Sequence, residues 1–214
     1  MKRVFFYIFL VVITGFCGCT NKDENIEKIN TKIEIDKSQW NVSPYELTDQ
    51  EINLLQSLGL MNNYGLFSFR GPEGTKSMRF NLYQLDENNC WENKLTGGVL
   101  GEVQEDGRYT PPKGNFSVVR QNDYSLSFYI NSTGIASFEA PPPEASPLNM
   151  ASFIKFLPHE EAVNLNQEVP VALIVYDKDS FSFDYTLADY FTPENIKNKD
   201  IVLAVTLTFF DYED

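Results

Sequence analysis

The chain has 214 residues, with 30 acidic and 17 basic side chains, one His, three Cys and a formal charge of −13. That length can build a core without disulfides or metals, and 43% hydrophobic with 14% aromatic residues excludes a disordered chain. The acid excess argues against nucleic acid and against adsorption to anionic lipid through a basic patch, since both need clustered Lys and Arg.

The first residues read as an address. Lys2 and Arg3 precede Val4 to Phe16, which carry no charge and are almost wholly apolar. The run is shorter than the roughly 20 residues a helix needs to cross a bilayer, and suits the apolar region of a signal peptide. It ends in Phe16-Cys17-Gly18-Cys19, which resembles the lipobox of bacterial lipoproteins, with Gly18 as the small residue before the acylated Cys and Phe16 departing from the usual Leu. The resemblance implies that residues 1–18 are removed and that the Cys19 thiol carries a diacylglycerol, with the lipid bilayer as its partner. Thr20-Asn21-Lys22-Asp23-Glu24 is similar to the surface-export signal of lipoproteins of the Bacteroidota. That likeness implies a lipid-anchored protein of the bacterial outer membrane, on the cell surface or the periplasmic face. More than one acyl chain, at about 0.8 kcal/mol per buried CH₂, makes such an anchor durable. Cys90 is then the one remaining thiol. No cation lies beside it in Asn88-Asn89-Cys90-Trp91-Glu92, so a buried, inert side chain is expected.

Residues 19–45 read as the lipidated N-terminus and a polar tether, in which Ile33 and Ile35 allow a short edge strand and Trp40 marks first contact with the body. Residues 46–214 read as one domain. Thr48-Asp49-Gln50-Glu51 is a capping box, followed by Ile52, Leu55 and Leu58 at helical spacing and a stop at Gly59. This helix is expected to lie on a sheet or plug one end of it. The period then changes to two. Strands are expected over 64–70 and 77–85, and 116–120 with 124–130 form the clearest hairpin. A further strand is expected over 134–139. Pro141-Pro142-Pro143 then forces a loop or a crossover between sheets. Strands resume over 152–157 and 169–176, where Pro170 requires a strand start or an edge. Phe181, Phe183 and Tyr185 alternate as another strand, Thr192-Pro193-Glu194 opens a short helix, and 201–210 is the strongest strand, with the odd positions apolar and Thr206 and Thr208 on the opposite side. Many short strands, one helix and no alternation of strand with helix imply a mainly β protein. An antiparallel β-sandwich, jelly-roll or immunoglobulin-like, is expected, with one short N-terminal helix and a β-barrel as the rival.

Motifs for chemistry are sparse. His159-Glu160-Glu161 lacks the second His that a zinc protease needs at Val163, and no nucleophile elbow accompanies this single His. Gly71 to Lys76 is too short for a phosphate loop and runs into a strand. Asp177, Asp179 and Asp184 supply oxygens but not the calcium-loop pattern. Three glycosylation sequons, at Asn41, Asn115 and Asn131, read as coincidence in a bacterial lipoprotein. No cofactor, metal or nucleic acid is implied. Rings that stack on sugars are the better lead, and Trp91, in a turn-rich stretch, and Tyr109, beside Pro111-Pro112, are the candidates for exposure. The expected role is a non-catalytic, membrane-anchored module that binds a glycan or an envelope protein. The alternatives are a structural accessory of an outer-membrane assembly and a hydrolase working with two carboxylates alone.

Overall fold

A computed structural model of the chain describes residues 40–60, 63–179 and 184–213. The signal peptide, Cys19, the possible strand at Ile33 and Ile35, and most of the strand expected around Phe181 and Phe183 lie outside the described residues.

Two antiparallel sheets face each other across an aromatic core. The first contains, in spatial order, β11 (Glu161–Ala162), β1 (Asn41–Pro44), β2 (Tyr64–Arg70), β7 (Lys113–Arg120), β8 (Leu126–Asn131) and β9 (Ile135–Ala140). The second runs β10 (Ala151–Phe156), β12 (Val169–Asp177), β13 (Ile201–Phe210), β3 (Ser77–Leu85) and β4 (Trp91–Leu100). A two-residue pair, β5 (Glu102–Val103) with β6 (Tyr109–Thr110), stands apart. The described residues form a sandwich and no barrel. The triple proline lies between β9 and β10, which belong to different sheets, so it is the crossover that three missing donors and a stiff backbone favour.

Alternation makes the core. Phe80 of β3 meets Phe116, Phe128 and Phe138 of the opposite sheet at centroid distances of 5.4, 4.5 and 5.3 Å. Phe69 meets Phe209, and Phe67 meets Phe156, also from sheet to sheet. Offset and edge contacts of this kind add to the burial of large rings. In β12 and in residues 201–209 of β13 every residue is buried, so the outward positions of these strands are covered as well. The cover is the long excursion between them, which contains two 3₁₀ turns, Leu187–Phe191 and Pro193–Asn195, the second with Pro at its first position as its sequence requires. Pro170 sits in an inner strand, at a register shift between Pro170 and Ala172, where a missing donor is tolerated.

Several expectations need correction. β1 pairs with both β2 and β11, so the sheet begins inside the stretch expected to be tether. β4 occupies what looked like a turn-rich stretch. It is an edge strand, with its charged side chains in solvent, and Gly97-Gly98 packs where a Cβ would lie 2.5 Å from the Phe80 ring and 2.3 Å from the Met78 carbonyl oxygen, respectively. Helix α1 (Asp49–Ser57) has both halves of its capping box, but it plugs nothing: none of its residues is buried, and Leu54 is 59% exposed. Cys90 is exposed rather than buried, because it closes the tight turn between β3 and β4, where Asp86 Oδ1 accepts its amide at 2.7 Å.

Candidate functional site

The outer face of the second sheet carries a polar cluster around Glu168. Register places Asn81 beside Thr206 and Tyr83 beside Ala204. Glu168, one residue before β12, reaches over this face. Its Oε1 accepts from the Tyr83 hydroxyl at 2.6 Å, from Asn81 Nδ2 at 3.2 Å and from the Thr206 hydroxyl at 3.3 Å, and its Oε2 accepts from the Tyr190 hydroxyl at 2.5 Å. Both oxygens of the carboxylate are thereby occupied, which is how a partly buried charge is made tolerable. Tyr83 and Tyr190 have their ionisation pushed far above the ordinary tyrosine value, first by burial and then by the hydrogen bond and charge of Glu168. They remain neutral donors at physiological pH.

Tyr190 belongs to the 3₁₀ turn, so Glu168 ties that turn to the sheet. Trp91 adds two contacts: its ring stacks on Tyr190 at 5.2 Å, and its Nε1 donates to the Tyr190 carbonyl at 2.9 Å. Asp189 finishes the segment, accepting from the Thr186 amide at 2.7 Å and from Asn195 Nδ2 at 2.8 Å. Leu187 and Tyr190 are buried in this packing, whereas Phe191, held edge-on to Tyr190 at 5.1 Å, is 62% exposed.

Phe191 stands at a groove of about 520 Å³, within the usual range for ligand sites. The floor includes Val169, Pro170 and Lys155. One wall is Thr186, Leu187 and Phe191, and the other is His159 of the β10–β11 connection with Glu161 of β11. His159 Nε2 lies 3.4 Å from Glu161 Oε1, and both side chains are largely in solvent. Such a groove combines apolar side chains with polar and charged ones.

The two rings chosen from sequence lie apart. Trp91 is half-buried behind the wall that carries Phe191. Tyr109 is half-buried near the other end of the β3–β4 pair, its hydroxyl bonded to Glu213 and Lys76 Nζ 5.5 Å above its ring. Trp91 pairs with Leu85, and Lys76 lies nine residues earlier, a separation of roughly 30 Å along a strand. The two cannot serve one small ligand. The ring that the sequence reading missed is Phe191. Its one signal was the Thr192-Pro193 helix start that follows it. Asp177, considered as a metal oxygen, instead pairs with Lys199 Nζ at 2.5 Å, and no cluster of three or more metal-ligating side chains occurs among the described residues.

No protein-family model, curated protein or solved structure matches the chain.

Proposed function

We propose that the protein is a lipoprotein of the bacterial outer membrane, tethered through acylated Cys19, whose sandwich binds a glycan without catalysing its cleavage. The anchor reading rests on Phe16-Cys17-Gly18-Cys19 and the following Lys22-Asp23-Glu24. The binding reading rests on one observation: Phe191, an apolar ring, is left in solvent on a segment that Glu168, Trp91 and Asp189 hold rigidly beside a groove. A fixed ring offers a sugar face a stacking surface without the entropy of ordering a loop. Glu168 supports the non-catalytic reading, since both its oxygens are occupied by donors from the protein itself.

A glycan array probed with the full-length protein in non-ionic detergent tests the proposal. Binding to a family of oligosaccharides, abolished by Phe191→Ala, is the expected outcome. Silence across the array, or binding that survives Phe191→Ala, contradicts it. Mass spectrometry of the native product tests the anchor: a diacylglyceryl group on an N-terminal Cys19 is expected, and a bare thiol or a retained leader contradicts it.

One observation favours a second reading, an accessory subunit of an outer-membrane assembly. β9 is an edge strand whose Ile135 is 81% exposed, and an edge of this kind is a template for pairing with another chain.

A further inference from the structure

The floor of the groove carries a charge that the fold does not use. Lys155 projects from the outer face of β10, opposite Leu173 of β12, and is half-buried. It has no ion-pair or hydrogen-bond partner among the described residues. Lys94, Lys178 and Lys199 pair with carboxylates, but the carboxylates that line the groove do not reach Lys155: Glu161 lies beside His159, and Glu168 is held by Tyr83, Tyr190, Asn81 and Thr206. The hydrocarbon stem of Lys155 is partly covered while its ammonium stays open to a ligand in the groove. A ligand carboxylate would complete it with a charge-assisted hydrogen bond, while Phe191 takes the face of the same sugar.

We infer that the groove selects acidic glycans, with Lys155 receiving the carboxylate of a uronic or related sugar acid whose ring stacks on Phe191. The inference rests on the glycan-binding reading above and adds the ligand class. It also implies that recognition is local. The negative charge of the whole chain repels such a ligand at long range, so selectivity must arise from contact with this lysine.

The test uses full-length protein in non-ionic detergent and a panel of oligosaccharides in matched pairs, each containing a uronic acid and its carboxyl methyl ester. The expected result is at least one pair in which the acid binds about tenfold more tightly than the ester, as an ionic hydrogen bond allows. That preference should disappear in Lys155→Gln, survive in Lys155→Arg and weaken as salt is raised from low to molar concentration. The thermal midpoints of both variants should match the wild type, which separates lost recognition from lost folding. Equal binding of acid and ester, or a preference that persists in Lys155→Gln, overturns the acidic selectivity and leaves glycan binding standing. Absence of binding to every member of the panel overturns both.

Discussion

Glu168 decides more than any other single residue in the groove, because it converts a surface excursion into a fixed wall. In Glu168→Gln an amide NH₂ replaces one oxygen and confronts groups that were donating to it. A loss of about 1–3 kcal/mol is expected, read from the denaturant midpoint, as for a buried polar group left unmatched. The same cluster sets the response to alkali. Tyr83 and Tyr190 ionise above the ordinary value of 10.0 in the folded protein, owing first to burial and then to Glu168. Their contribution is therefore whole below pH 10 and declines as pH rises beyond it, since the unfolded chain releases these protons more readily. Denaturant curves at pH 8 and pH 11 should show lower stability at pH 11, and a smaller decline in Tyr83→Phe. An unchanged decline in that variant would mean that other groups govern the alkaline limb.

At the scale of elements, two features carry testable weight. The excursion between β12 and β13 is clasped at its base by Asp177 with Lys199 at 2.5 Å and by Lys178 with Asp200 at 3.3 Å. Burial alone would raise the Asp177 carboxyl; the Lys199 hydrogen bond, the Asp179 amide and the Lys199 charge together outweigh it and hold the carboxyl below its usual value of 3.8. A group lowered in this way stabilises the fold above that value and loses its contribution as pH falls through the lowered one. Asp177→Asn should cost on the order of 3 kcal/mol at neutral pH, because Lys199 is left poorly solvated. The gap from wild type should shrink in acid, and a gap constant from pH 7 to pH 2 would contradict the assignment. In β4, Gly98→Ala would set a Cβ 2.3 Å from a backbone carbonyl oxygen, so a loss of about 1–3 kcal/mol is expected from calorimetry, as in an overpacked core.

These elements also mark how far the sequence could be read. β2, β3, β12 and β13 follow period-two or continuous apolar runs, and their spans agree with the strands expected. β4 escaped because Glu92, Asn93, Lys94 and two glycines break any alternation. It holds as a strand only because β3 supplies its hydrogen bonds and Phe80 fills the space over Gly97. The groove was less legible still. Trp91 is a large ring near a turn, and it lies one aromatic contact behind the wall. Phe191 is exposed because Glu168, more than twenty positions earlier, binds its neighbour Tyr190. No local pattern encodes a tie of that range.

At the scale of the whole molecule, a sandwich with a phenylalanine-rich core presents a groove on the outside of one sheet, close to where the second sheet ends in β10. No helix among the described residues is long and apolar enough to cross a membrane, and attachment in the proposal falls to Cys19 alone. The groove can be tested independently of the anchor. The most direct measurement is NMR of the full-length protein in detergent with labelled phenylalanine rings and tryptophan indoles, titrated with the tightest-binding oligosaccharide of the paired panel. The Phe191 resonance, assigned by its loss in Phe191→Ala, should move saturably while the Trp91 indole N–H, bonded to the Tyr190 carbonyl, stays in place. A Phe191 resonance that does not move at saturating ligand would contradict the placement of the binding site in this groove.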